Sequence, residues 1–183
     1  MINHGRENAH KNELKTLKWQ FGLTWQLANY HLPELTDHMC LWEPVAECWS
    51  VRKKVDGKWF PDWSDKEPDP PPVVTIGWLT WHLNWWWSSL LARVNEEEPV
   101  PRNEVAWPGS AESVVARLNE LSEKWTGFLD GLSSNDLEKP FDYPWPEPRP
   151  LKIALAWANS ELMKNIAEIG IIHHLYKATH NRG

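Results

Sequence analysis

The sequence has little cysteine and no cluster of basic residues. Its two cysteines, Cys40 and Cys48, have a spacing that matches neither a zinc motif nor a CxxC redox motif. This favours two buried, reduced thiols, and a disulfide between them stays open. Lys and Arg number 19 against 25 Asp and Glu, for a net charge of -6. Nucleic-acid binding, which depends on clustered positive charge, is therefore not expected.

The chain also lacks an apolar run long enough to cross a bilayer. The longest stretch, residues 77–92, is interrupted by His82 and Asn84, and it is shorter than the ~20 apolar residues that a transmembrane helix needs. The first residues show no apolar core of a signal peptide. We therefore expect no membrane partner and predict a cytoplasmic location.

Tryptophan, by contrast, is unusually abundant, with 15 residues in a chain of 183. The length fits one domain around one core, so we predict a single domain over residues 1–183. Each indole N–H needs a hydrogen-bond acceptor when it is buried. The core is therefore expected to contain polar groups as well as apolar ones.

Apolar periodicity predicts four long helices. They cover about residues 12–35, 73–95, 111–131 and 151–178, the second starting at Val73 or Val74 and the third capped by Ser110. The second is apolar almost all round, which is typical of a central, buried helix, and the fourth is long and nearly all apolar. We predict an all-α fold, a four-helix bundle, whose interior is where metal and cofactor sites are commonly built.

Two connections interrupt the helices. Residues 39–63 lose the helical period, Trp49 and Val51 alternate with polar residues, and Asp56-Gly57 is a hairpin-turn signal. This predicts a long, partly extended excursion with two short strands between helices 1 and 2. The run EPDPPP at residues 67–72 and the five prolines between residues 135 and 150 predict two rigid, extended segments.

A polar stripe crosses the apolar fourth helix. Glu161, Asn165 and Glu168 are four and three residues apart and therefore project from one side. A buried carboxylate must be paired, protonated or bound to a cation, and His82, in the middle of the second helix, is the best partner. Periodicity favours a core histidine hydrogen-bonded to Glu161 or to a carbonyl, with a metal ligand as the other interpretation. Glu168 is expected to accept from a Trp N–H or an Arg.

The other histidines near the helices are expected to contribute little. His173 and His174 are adjacent and should point in different directions, one towards the core and one into solvent. Neither is predicted to be a metal ligand. His31 and His38 flank the end of the first helix and are expected at the surface.

Several segments together resemble a known family. They are LTDHMCLWEPVAECWSVR (residues 35–52), DGKWFPDW (56–63), EPDPPPVVTIGWLTWHLNWW (67–86) and ELMKNIAEIG (161–170). The sequence resembles the DinB-like family of small bacterial four-helix-bundle proteins over about residues 12–178. In that family three histidines typically hold a divalent metal, one on the second helix and two, four residues apart, on the last. The resemblance maps these metal ligands onto His82, Glu161 and Asn165. Glutamate is a competent oxygen ligand, whereas neutral asparagine is a weak one.

The resemblance implies a metal-dependent enzyme of the thiol-transferase or hydrolase kind. A zinc or nickel ion held by His82, Glu161 and Asn165 would activate water or a low-molecular-weight thiol such as mycothiol, bacillithiol or glutathione. No catalytic residue can be assigned, because no nucleophilic Cys or Ser-His-Asp arrangement is recognised. The alternative, motivated by Asn165, is a metal-free, non-catalytic bundle with a Trp-lined pocket for a small ligand or a stress-related partner. The resemblance and the aromatic content also predict a homodimer.

Overall fold

Four long helices form the body of the molecule, as the sequence predicted. The computed structural model describes residues 3–66 and 68–180, with side chains from residue 12 onward. The α-helices of this part of the chain are α1 (Asn3–His31), α2 (Asp37–Leu41), α3 (Ile76–Val94), α4 (Ala111–Gly131) and α5 (Leu151–His180). Short 3-10 turns cover Leu32–Glu34, Arg102–Glu104 and Asp136–Glu138. The short helix α2 was not predicted.

The long helices pack as a bundle in which α5 lies between α1 and α3, and α3 in turn packs on α4. Helix α3 buries most of its residues, in agreement with its nearly continuous apolar sequence. Helix α5 buries a smaller share and leaves apolar side chains such as Ile171 and Leu175 exposed. The predicted all-α four-helix bundle is confirmed. Within the described residues, none of these helices combines the length and the apolar character required to cross a bilayer.

Short strands form the excursion between α1 and α3. Strands β2 (Val51–Lys53) and β3 (Trp59–Pro61) pair antiparallel, and Gly57 takes a φ of 84° in the turn, which confirms the predicted hairpin. Strand β1 (Cys48–Trp49) pairs in parallel with β4 (Val73–Val74).

The proline-rich connections also contribute a strand pair that the sequence did not predict. Strands β5 (Pro140–Phe141) and β6 (Arg149–Pro150) pair antiparallel across the second proline-rich segment. Of the first segment, residues 67–72, Glu67 lies outside the described residues. Neither segment contains α-helix where it is described, in agreement with its prolines, although the 3-10 turn Asp136–Glu138 lies at the start of the second segment.

Hydroxyl caps set the starts of two of the long helices. The Ser110 side chain accepts from the backbone N–H of Ser113 and caps α4, as predicted. Thr75 caps α3 by accepting from the N–H of Trp78. Because Val73 and Val74 belong to strand β4, α3 begins at Ile76 and not at the predicted Val73 or Val74.

Buried indole rings form much of the core, and two of the most deeply buried donate to acceptors within it. Trp81 donates its Nε1–H to the carbonyl of Val105 over 2.7 Å, and Trp107 donates to the hydroxyl of Thr80 over 2.9 Å. The rings of Trp81, Trp107, Trp87 and Trp125 are almost completely buried. The expectation that a tryptophan-rich core contains polar acceptors is therefore confirmed.

Both cysteines are free thiols. Cys40 is buried and Cys48 is half-buried, so the prediction of two reduced thiols holds while full burial is correct only for Cys40. Burial raises the pKa of the Cys40 thiol to about 12, which keeps it protonated and unreactive at neutral pH.

Helix α3 packs so closely on the preceding segment that Gly77 has no room for a side chain. A Cβ at this position would lie 2.9 Å from the carbonyl oxygen of Cys40 and 2.9 Å from Cγ2 of Val51. We expect Gly77→Ala to lower the free energy of unfolding by about 1–3 kcal/mol, measured by urea denaturation, because the added methyl overpacks this contact. Gly127→Ala in α4 is the matched control, since nothing lies within 4 Å of its added Cβ. It should be neutral or stabilising, by up to about 1 kcal/mol, and equal losses in the two variants would contradict the packing described.

Candidate functional site

His82 lies on the inner side of α3 against aromatic rings. Its imidazole stacks on Trp78 with ring centroids 5.1 Å apart and meets Trp85 edge-on. Nδ1 of His82 lies 3.2 Å from Oδ1 of Asn165 on α5. An amide oxygen only accepts hydrogen bonds, so Nδ1 carries the proton and donates. The neutral ring then has an unprotonated Nε2.

Asn165 is the centre of the polar network. This side chain is almost completely buried, and its Oδ1 accepts a second hydrogen bond from Nε1 of Trp86 over 3.2 Å. Its Nδ2 donates to Oε2 of Glu168 over 3.2 Å. Both lone pairs of the amide oxygen are therefore used. The prediction that Glu168 accepts from Trp or Arg is wrong, because the donor is an amide one turn away on the same helix.

Glu161 is near this network but has a different partner. Its carboxylate forms an ion pair of 2.6 Å with Nζ of Lys164, one turn further along α5. The hydrogen bond predicted between His82 and Glu161 is replaced by the one between His82 and Asn165. The negative charge of Glu161 still acts on the imidazole and raises the pKa of His82.

The imidazole of His82 is nevertheless neutral at physiological pH. Burial among the indole rings lowers the pKa of His82 to about 4, outweighing the opposing effects of the Glu161 charge and the Asn165 hydrogen bond. The ring is half-buried overall because one part of it lines a cavity.

The cavity beside His82 is lined by aromatic, proline and polar side chains and measures about 410 Å³. This volume lies within the range typical of small-molecule sites, ~300–1,000 Å³. Its apolar wall is formed by Trp49, Trp63 and Trp78, of which the last two stack with an interplanar angle of 9°. Polar side chains from α3 and α5 also line the cavity, namely His82, Glu161, Lys164, Asn165 and Glu168.

The metal implied by the family resemblance can be tested against these contacts. The structure does bring the predicted ligands His82, Glu161 and Asn165 to one cavity. However, the Asn165 oxygen already accepts two hydrogen bonds, and Nδ1 of His82 is a donor. Nε2 of His82 and the lysine-paired carboxylate of Glu161 remain, whereas a catalytic zinc ion typically has three protein ligands. The arrangement as it stands does not fit such an ion, and the metal assignment at these residues stays a prediction.

A second group of histidines lies at the junction of α1 and α5. His31, His173 and His174 each offer one ring nitrogen, and these atoms all lie within 4.8 Å of one another. His31 is 5% exposed and His173 is 1% exposed, while His174 is exposed. These three side chains form a candidate metal-binding group.

The prediction for these histidines is partly wrong. His31 is buried and not at the surface, because α1 meets α5 at this point and the ring packs on Gly170. One of His173 and His174 does face the core and the other solvent, as expected, yet both lie close to His31. His38 is exposed, as predicted. A usable signal was the spacing of Gly170 from His173 and His174, three and four residues, which places a gap beside two imidazoles on one face of α5.

Comparison with known protein families gives one match over most of the chain. The model described as the DinB superfamily matches residues 20–169. This range contains His82, Glu161, Asn165 and His31, and it ends before His173 and His174. No curated protein matches the sequence.

The depressed pKa of His82 predicts a pH dependence of stability. The folded state holds this imidazole neutral down to about pH 4, whereas the unfolded chain binds a proton near pH 6.5. Stability is therefore fully present above the unfolded pKa and is lost as the pH falls towards the folded pKa. We expect the free energy of unfolding to decrease by about 1–2 kcal/mol from this residue between about pH 7 and pH 5.

His82→Phe is the matched variant, since phenylalanine keeps a ring on Trp78 and cannot bind a proton. Urea denaturation of both proteins at several pH values should show the smaller pH dependence in the variant. The decrease that remains is assigned to other groups such as His31 and His173, whose pKa values are also lowered by burial. An identical pH dependence in the two proteins would show that His82 is not held neutral by the fold.

Proposed function

Because the chain belongs to the DinB superfamily, we propose that it keeps the interior pocket of that fold and uses it, without a resident metal, to bind a small thiol-bearing molecule. The observation that carries this proposal is the hydrogen bond from Nδ1 of His82 to Oδ1 of Asn165. It determines which ring nitrogen is protonated. It also keeps Asn165 occupied as an acceptor.

The geometry of His82 suits a ligand that donates a hydrogen bond. With Nδ1 as donor to Asn165, Nε2 has a free lone pair, and His82 lines the cavity. A thiol S–H is a weak donor that a neutral imidazole can accept. The indole faces of Trp49, Trp63 and Trp78 provide apolar surface for the body of the ligand.

The charges around the cavity are largely balanced. The carboxylate of Glu161 is paired with Lys164, and that of Asp65 is paired with Arg102 over 3.3 Å. The Arg102 guanidinium also lies 4.2 Å from the centre of the Trp63 ring. Two of the three carboxylates that line the cavity thus have cationic partners, whereas Glu168 accepts from the neutral amide of Asn165. This pairing reduces the repulsion of a thiol that carries its own carboxylates, such as glutathione.

Binding is better supported than catalysis by this imidazole. A general base works best with a pKa near the operating pH, whereas burial lowers the pKa of His82 to about 4. Cys40 and Cys48 are not among the residues that line the cavity. The pocket therefore offers a hydrogen-bond acceptor and an apolar wall, which are the parts of a non-catalytic binding site.

The competing hypothesis is a metal-dependent thiol transferase or hydrolase, with zinc or nickel held by His82, Glu161 and Asn165. It requires Asn165 to release the hydrogen bonds from His82 and Trp86 and to turn towards the ion. That change would leave a buried indole N–H without an acceptor, which costs about 1–3 kcal/mol. The predicted cytoplasmic location and homodimer stay predictions beside either hypothesis.

The test of the proposal uses glutathione and S-methylglutathione, in which a methyl group replaces the hydrogen that the sulfur can donate. Glutathione should quench the intrinsic tryptophan fluorescence of the protein, because three indoles line the cavity. S-methylglutathione should bind about 2- to 10-fold more weakly, since one net hydrogen bond contributes about 0.5–1.5 kcal/mol.

His82→Phe should bind the two probes equally, because it keeps the aromatic surface and removes the acceptor. His38→Phe is the control, since His38 is exposed and does not line the cavity, and it should behave as the wild type. The proposal is wrong if wild-type protein binds neither probe, or if His82→Phe still prefers glutathione.

Replacing Asn165 distinguishes the two hypotheses. Asn165→His supplies the imidazole that the family arrangement has at this position and removes the amide that engages His82. We expect the variant to bind one more equivalent of Zn²⁺ per chain than the wild type, as measured by titration against a chromophoric chelator. If the wild type already binds Zn²⁺ in this pocket, His82→Phe will lower its zinc stoichiometry, and the metal-dependent hypothesis will be preferred.

A further inference from the structure

We propose that His31, His173 and His174 form a zinc site that fastens the end of α1 to α5. This site is separate from the cavity at His82, because none of the three histidines lines that cavity. The proposal therefore does not rest on thiol binding. It starts from the convergence of three imidazoles from two helices within 4.8 Å.

The spacing of the nitrogens is close to what a zinc ion requires. Zinc binds histidine nitrogen at about 2.0–2.1 Å in tetrahedral geometry, which places two ligand nitrogens about 3.4 Å apart. The three imidazoles of this cluster need to approach one another by about 1 Å or a little more to reach that distance. Their rings are already neighbours, with centroids 5.3–5.8 Å apart, so side-chain rotations can supply the change.

The buried nitrogens of the cluster have no hydrogen-bond partner. In the described part of the chain these atoms are Nδ1 of His31 and both ring nitrogens of His173. Buried polar atoms are almost always satisfied, and an orphaned one is typical of a place where an ion or a water binds. A metal ion that accepts a lone pair from each ring would satisfy one nitrogen of His31 and one of His173.

A carboxylate stands beside the cluster as a fourth donor. Oε2 of Glu34, in the turn that follows α1, lies 3.5 Å from Nε2 of His173, too far for a good hydrogen bond and near enough to move onto an ion. The same carboxylate is paired with Lys177. Three imidazoles and one carboxylate form a typical zinc ligand set, and zinc is therefore the ion that this cluster fits best.

The charge state of the cluster suits metal binding. Burial lowers the pKa of His31 and of His173, so both rings are neutral at pH 7, the form that binds a metal. The groups facing them act in both directions, since Glu34 raises these pKa values while Lys177 and His174 lower them. The carboxylate of Glu34 thus offsets the positive charge of Lys177 beside the cluster.

Gly170 makes room for the cluster. A Cβ at this position would lie 2.6 Å from Nε2 of His31, so any larger residue would displace that ring from α5. The glycine lets the last residue of α1 reach the face of α5 that carries His173 and His174.

The experiment is a zinc titration of chelator-stripped, tag-free protein against a competing chromophoric chelator. We expect the wild type to bind one Zn²⁺ per chain and to gain thermal stability from it. His174→Gln should weaken binding at least about 100-fold, because loss of an outer-shell partner alone costs 10- to 100-fold. His174 is exposed, so this variant is expected to fold normally.

Matched variants distinguish zinc held by this cluster from zinc bound elsewhere on the chain. His38→Gln changes an exposed histidine outside the cluster, and His82→Phe changes the cavity on α3. Both variants should bind zinc as the wild type does. Gly170→Ala should weaken binding by displacing His31, whereas Gly127→Ala, which adds a methyl with no neighbour within 4 Å, should not. The proposal is overturned if the wild type binds no zinc, or if zinc binding survives unchanged in His174→Gln, which would indicate adventitious surface binding only.

Discussion

Burial of indole N–H groups is the constraint on which the rest of this structure depends. A buried indole N–H usually finds an acceptor, and the acceptors here come from different parts of the chain: the carbonyl of Val105 for Trp81 and the hydroxyl of Thr80 for Trp107. For Trp86 the acceptor is the side-chain oxygen of Asn165. The same oxygen also accepts a hydrogen bond from Nδ1 of His82. The burial of Trp86 and the state of the candidate site therefore both depend on one amide group.

The two histidine sites differ in whether their buried polar atoms have hydrogen-bond partners. An amide oxygen accepts two hydrogen bonds, whereas a histidine at position 165 would have a single lone pair for Trp86, for His82 or for a metal. Asn165 thus accepts the hydrogen bonds of both His82 and Trp86, but it is a weaker metal ligand than histidine. At the junction of α1 and α5 the reverse holds, since buried nitrogens of His31 and His173 have no partner among the described residues. From this contrast we infer metal-free ligand binding at His82 and zinc binding at the junction of α1 and α5.

The sequence predicted the bundle well because its helices carry clear apolar periodicity. It also predicted the cap at Ser110 and the turn at Gly57, because each depends on a single residue. It also placed His82 and Asn165 together, since helical spacing and burial of α3 and α5 determine that contact. It did not predict which partner His82 takes. The reason is that the ion pair between Glu161 and Lys164 depends on side-chain rotamers, which the sequence does not show. It missed His31, whose burial depends on the exact place where α1 ends against Gly170.

The most direct test of the account is the tautomer of His82, measured by ¹⁵N NMR of histidine-labelled protein, with His82→Phe used to assign the signals. The account predicts a neutral ring protonated on Nδ1 at pH 7, whose signals stay unchanged when one equivalent of Zn²⁺ is added. The signals of His31, His173 and His174 should shift under the same addition. A His82 ring protonated on Nε2, a cationic ring, or a zinc-dependent shift of its nitrogens would contradict the account.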